Sequence, residues 1–161
     1  MLLKGISITN YRSIKSANYI PIENKCVIIG PNNEGKSNIL QGIVLVLTKI
    51  AGNQHKRLRF YPRRLRYFDG YQGYDWERDF PLDLQITEPN GKTVFKVYIT
   101  LDDEEASELA KLLKSQETKE IEFILKFSKD TEYMEANPVD KKIKYTKNEN
   151  FEILLNFSMK D

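Results

Sequence analysis

The run Gly30-Pro31-Asn32-Asn33-Glu34-Gly35-Lys36-Ser37 meets every fixed position of the pattern G-x-x-x-x-G-K-[ST]. The chemistry this spacing serves is polyphosphate binding. Consecutive backbone N–H groups in a tight loop converge on one point when side chains do not intrude, and Gly30 and Gly35 permit the turn and the close approach. Lys36 adds a point charge that reaches the β- and γ-phosphates, and the Ser37 hydroxyl is spaced to complete the shell of a magnesium ion bridging them. The competing reading is a glycine-containing strand-to-helix turn with an incidental Lys-Ser.

Context favours the phosphate loop. Lys25-Cys26-Val27-Ile28-Ile29 is short, apolar and β-branched, which predicts a buried strand leading into the loop, with Cys26 as a small buried filler. Ser37 to Thr48 predicts a helix whose unpaired N–H groups and positive dipole end point at the anion. Within it Ile39, Leu40, Ile43, Val44, Leu47 and Ile50 are so numerous that burial on most sides is expected. Ala51-Gly52-Asn53 is a stop signal.

Ahead of the loop, Leu2 to Thr9 alternates as a strand, Asn10-Tyr11-Arg12-Ser13 breaks the pattern, and a second short strand is expected from Ala17 to Ile22, so three strands precede the first helix. Beyond it, Gln54 to Arg78 is rich in tyrosine, arginine and glycine without a sustained period and reads as a long loop. Leu82 to Thr87, the turn Pro89-Asn90-Gly91-Lys92 and Val94 to Leu101 predict a hairpin. Asp102 with Glu105 three residues on predicts a capping box opening an amphipathic helix with Ala106, Leu109, Ala110, Leu112 and Leu113 inward. That role explains the acidic run Asp102 to Glu105 better than a metal site does. Further strands are expected at Ile121 to Phe127, Lys142 to Tyr145 and Phe151 to Phe157.

The chain of 161 residues is long enough for one domain with its own core. No apolar stretch approaches a membrane span and the N-terminus shows no signal peptide, which with a single cysteine predicts a cytoplasmic setting. The net charge of +2 is unevenly spread: residues 1–80 hold 13 Lys+Arg against 6 Asp+Glu, residues 81–161 hold 12 against 17. Such asymmetry points to an anionic partner on one side.

The ordered series of opening strand, Asn10-Tyr11-Arg12-Ser13, polar strand pair, Val27 to Asn38 and Leu40 resembles the head domains of the SMC, RecF and OLD-type ATPases, a DNA-associated branch of the ABC ATPases. From Trp76 through Leu113, with Asp79-Phe80-Pro81 and the Asp102-Asp103-Glu104-Glu105 helix opening, the chain looks most like the OLD-type members. The resemblance implies an α/β fold, a P-loop NTPase of the ABC-type head with mixed and antiparallel strands around the phosphate-loop helix. It implies that Gly30, Asn32, Asn33, Glu34, Gly35, Lys36, Ser37 and Asn38 hold ATP, that Ser37 contacts magnesium, and that Arg12 lies close to the nucleotide; a salt bridge is the other reading of Arg12. Tyr11 stands where these families have Phe and is expected to pack in the sheet. In that frame residues 1–53 are the phosphate-loop unit, 54–80 the basic aromatic loop, and 81–161 the hairpin, helix and further strands of an N-terminal lobe.

The later parts of such heads are missing from the pattern: no signature sequence follows the loop, no apolar strand ends in Asp-Glu, and the only histidine, His55, falls in the wrong order. Hydrolysis needs a positioned water and an orienting group as well as phosphate contacts. The chain alone is therefore expected to bind ATP weakly and to hydrolyse it negligibly, as the N-terminal part of a longer ATPase that pairs head to head. Three functions follow: the ATP-binding part of an OLD- or RecF-like ATPase acting on DNA in repair or anti-phage defence, with a nuclease domain or partner; a stand-alone ATP-binding or regulatory module; and a small P-loop kinase, which the three-strand opening and the hairpin disfavour.

The stretch His55 to Phe68 carries six Lys+Arg, four aromatics and no acid. Lys56, Arg57, Arg59, Arg63, Arg64 and Arg66 suit backbone phosphates, and the interleaved rings suit base stacking. Pairing with the acidic second half of the chain, or with another subunit, explains them equally well, and contact with the ATP base is a third option.

Overall fold

The computed structural model describes residues 2–23, 25–31, 35–50, 73–114 and 116–139. Strand β1 (Leu2–Tyr11) turns at Arg12 and Ser13 into β2 (Ile14–Pro21), and the phosphate-loop region leads to helix α1 (Lys36–Ile50). Two single turns, α2 (Trp76–Asp79) and α3 (Leu82–Gln85), precede β3 (Thr93–Thr100). Helix α4 (Asp103–Leu113) then connects to β4 (Glu120–Phe127) and β5 (Glu132–Pro138). The strands form one sheet in the order β2-β1-β3-β4-β5, every pairing antiparallel.

Period-two alternation explains which face is core. In β3 the side chains of Thr93, Phe95, Val97 and Ile99 are buried, and in β4 those of Ile121, Phe123, Leu125 and Phe127. The register sets Phe95 between Ile8 and Leu125, and Val97 between Ile6 and Phe123, so the apolar positions of three strands coincide. Leu45, Val46 and Ile50 of α1 and Ala106 and Leu109 of α4 complete the same cluster. The alternate positions of the central strands are mostly polar, with Lys96 paired to Glu122 at 3.5 Å.

Helix α1 seats on the sheet at Gly42. A Cβ there would stand 2.9 Å from Phe95 Cε1 and 3.5 Å from Tyr11 Cε1, so the helix backbone reaches the sheet only because this side chain is absent. Tyr11 is fully buried, edge-on to Phe95 with ring centroids 5.1 Å apart, in keeping with the expectation that it packs in the sheet. At the other end of α1, Lys49 donates to Glu132 of β5 at 2.5 Å.

Several expectations are corrected. Residues 25–31 form no strand; Val27 and Ile29 are 79% and 88% exposed, and Cys26 is exposed rather than a buried filler. Their β-branched composition favours a strand, but a strand also needs a neighbour, and among the described residues no backbone ladder reaches them. Among the described residues two strands, not three, thus precede α1. The helix itself is buried along one side, since Leu40 and Leu47 are exposed.

The predicted hairpin is also replaced. Leu82–Gln85 is a helical turn, held by Gln85 Nε2 donating to the carbonyls of Glu77 and Phe80 at 2.9 and 3.0 Å. Leu82 and Ile86 are spaced four apart and both exposed, so the alternation of Leu82 to Thr87 has no sheet to face. β3 pairs instead with β1 and β4. The second strand begins at Ile14 rather than Ala17, and β5 has no counterpart among the expected strands. The capping box of α4 is present in full, Glu105 N–H donating to Asp102 Oδ1 at 2.8 Å and Asp102 N–H to Glu105 Oε2 at 2.9 Å. The strands expected at Lys142 to Tyr145 and Phe151 to Phe157 lie outside the described residues.

Candidate nucleotide-binding site

The site is built where α1 begins. Gly35 takes φ +89°, a conformation L side chains rarely adopt, and its would-be Cβ lies 3.1 Å from Ser13 Oγ. Its carbonyl accepts the first helical bond of α1, from Ile39 N–H at 2.9 Å. The first turn of this 15-residue helix contains Lys36 and no acid, so the positive dipole end is not neutralised by its own side chains. Lys36 Nζ reaches back over the loop, donating to the Gly30 carbonyl at 2.5 Å and to the Pro31 carbonyl. A cation resting on carbonyls beside the N–H groups of a helix start is a donor set that fits a polyphosphate.

Gly30 and Pro31 are exposed, as is Ser37, and Asn38 Nδ2 donates to Ser13 Oγ at 2.8 Å. The structure thus brings together Gly30, Gly35, Lys36, Ser37 and Asn38. Asn32, Asn33 and Glu34 lie outside the described residues, as do Lys56, Arg57, Arg59, Arg63, Arg64 and Arg66. Among the described residues no group of three His, Cys, Asp or Glu side chains could hold a metal. Magnesium on a nucleotide needs no such group, because phosphates and water supply most of its oxygens; Ser37 is the residue here that would complete the shell.

Arg12 is fixed by an unusual set of contacts. It takes φ +51°, and its N–H donates to the Asp79 carbonyl at 2.7 Å. Its Nε donates to Asp79 Oδ1 at 2.8 Å, and Nη1 donates to Gln41 Oε1 on α1. The guanidinium also stands 5.4 Å from the Tyr11 ring centroid. Arg12 is therefore salt-bridged, but to a fully buried carboxylate rather than a surface one, and beside the start of α1.

No local motif gives Asp79 a role in the site. Its side chain accepts from Arg78 Nε at 3.0 Å and Nη2 at 2.7 Å, from the Asp75 N–H at 3.0 Å, and from Arg12. Burial alone would raise the carboxyl, but the hydrogen bonds from Arg78, the Asp75 backbone and Arg12 outweigh it, and the pKa is lowered. An open cavity of about 530 Å³ lies beside this cluster, lined by Arg12, Ser13, Arg78, Phe80, Leu82 and Asp83. Asp83, one of its lining residues, pairs with Lys15 at 2.5 Å.

Among the described residues no helix is long and apolar enough to cross a membrane. No curated protein matches the sequence. Among solved structures, the chain is similar to one from work on ATP-driven dimerization and DNA-stimulated activation of SMC ATPases, with a TM-score of 0.57 at 14% identity, covering 99% of this chain and 80% of that one. At that identity the likeness is one of fold, and it matches the α/β P-loop head expected from the sequence. A family model described as AAA ATPase domain matches residues 1–161, and the chain belongs to the AAA ATPase domain family.

Proposed function

We propose that the chain is the ATP-binding part of an OLD- or RecF-like ATPase that works on DNA in repair or anti-phage defence, with magnesium held between the nucleotide and Ser37. The observation that carries ATP binding is the junction at Gly35, where a positive-φ glycine opens a 15-residue helix with no acid in its first turn and Lys36 folds over the loop carbonyls. The glycine spacing of the loop, the helix dipole and Lys36 together suit a triphosphate better than any neutral ligand. The fold-level likeness to a protein described by ATP-driven dimerization and DNA stimulation supports pairing of two heads on DNA.

In this reading hydrolysis rests on a signature sequence and an acidic strand outside this sequence or on a partner head, and any DNA cutting rests on a further domain or partner. Lys56, Arg57, Arg59, Arg63, Arg64 and Arg66 are the groups proposed to meet the DNA backbone. The test is calorimetric titration with magnesium-ATP. Lys36→Ala removes the cation at the loop's end, a charge-assisted contact of about 1.5–3 kcal/mol, so affinity is expected to fall about 10- to 100-fold. Unchanged affinity in that variant overturns the assignment.

A further inference from the structure

Among the described residues Asp79 is the only buried charged side chain, and it sits in a segment outside the glycine motif. A buried carboxylate left unpaired is strongly destabilising, and this one is surrounded by donors from Arg78, Arg12 and the Asp75 backbone. Its backbone carbonyl also takes the Arg12 N–H. Two of these bonds converge on Arg12, a residue whose left-handed conformation costs about 1–2 kcal/mol and persists only when its surroundings hold it.

What Arg12 then does lies on α1. Its Nη1 holds Gln41, four residues after Ser37 and so on the same helix face. Its neighbour Ser13 takes the Asn38 amide at 2.8 Å and packs under Gly35. The Arg12–Ser13 turn thus grips the start of α1 at three places, Gly35 just before it and Asn38 and Gln41 in its first two turns. These are the turns that present the phosphate-binding groups.

We propose that Asp79 is a positioning residue of the phosphate site, acting through Arg12 to hold the start of α1 in register with the loop. The proposal rests on the ATP-binding reading above. It assigns a role in that site to α2, which contributes nothing to the glycine motif.

The experiment is magnesium-ATP titration of the wild-type chain, Asp79→Asn, Arg12→Gln and the double variant, each with its melting curve. If Asp79 acts through Arg12, each single change weakens ATP binding about 10-fold, the scale seen for outer-layer partners of ligating groups. The double change then also costs about 10-fold instead of about 100-fold, because both remove one link. A merely structural Asp79 would lower the melting temperature without this non-additivity. Trp76, the chain's single tryptophan and three residues from Asp79, adds a spectroscopic reading: its fluorescence should respond to ATP in the wild type and lose that response in Arg12→Gln.

Wild-type affinity in Asp79→Asn, or an additive double variant, overturns the proposal and leaves ATP binding intact. Failure of the wild-type chain to bind ATP overturns both. Should Asp79→Asn not fold, Gln41→Leu breaks the same link at its α1 end without touching the buried carboxylate; several-fold weaker ATP binding is expected, and unchanged binding overturns the proposal.

Discussion

Gly42→Ala tests how α1 is seated, because two effects of opposite sign meet at one atom. Alanine in a helix interior is favoured over glycine by about 1 kcal/mol, so an exposed site would gain stability. At Gly42 the new Cβ would stand 2.9 Å from Phe95 Cε1, closer than real Cβ contacts come, and the ring it meets is fully buried. Ile8 Cδ1 at 3.6 Å and Tyr11 Cε1 at 3.5 Å close the sides, so the helix must lift or the ring must turn. Overpacking of this kind costs about 1–3 kcal/mol. The net expectation is destabilisation by about 1 kcal/mol, which for a domain of this size lowers the melting temperature by about 2–4 °C. Thermal and urea unfolding of Gly42→Ala measure it, with the change repeated in a Phe95→Leu background where the opposing ring atom is gone. There the propensity gain should reappear and the sign of the effect should reverse. A higher melting temperature for Gly42→Ala alone, or the same shift in both backgrounds, would refute the claim that this glycine is kept for close approach.

The remaining expectations concern a cap and two tyrosines. Asp102→Ala removes one arm of the α4 capping box and should cost about 1 kcal/mol in urea unfolding while leaving ATP affinity unchanged; a loss within error would mean that the box is not needed. Tyr11 and Tyr74 both have pKa values pushed up from 10.0 to about 12, by burial above all, opposed by Arg12 near Tyr11 and by the hydrogen bond to Thr93 at Tyr74. Because the folded values lie above the unfolded one, their contribution is complete below about pH 10 and is lost as pH rises toward about 12. Phenolate absorbance should therefore show a late phase that coincides with alkaline unfolding, and titration of all nine tyrosines in one step near 10 would contradict the burial. At the acid end Asp79 carries the opposite sign: its lowered pKa adds stability above the ordinary carboxyl range that is lost as pH falls below it.

Local signals were legible where one stretch of chain holds the whole cause. The glycine motif, the helix after it, the Asp102–Glu105 box and the alternation of β3 and β4 each depend on residues a few positions apart, and each is where the spacing places it. Composition misled elsewhere: Val27 to Ile29 and Leu82 to Ile86 have the residues of strands, yet a strand exists only beside a partner, and neither stretch has one among the described residues. Propensity without a neighbour left the first exposed and unpaired in any ladder, and allowed the second to close a helical turn around Gln85.

By itself the amino-acid order determined the expectation of a phosphate ligand, because a phosphate cradle is made by consecutive backbone groups and needs only glycine at two places and a Lys-Ser pair beside them. Only the tertiary structure decided what surrounds the start of α1. Arg12, Gln41 and Asp79 come from three separate segments, and their meeting depends on the sheet that carries β1, on the close seat of α1 at Gly42, and on burial that makes a charged group seek every donor within reach. No local pattern encodes an ion pair across 67 positions, since its energy arises only once water has been excluded from around the partners.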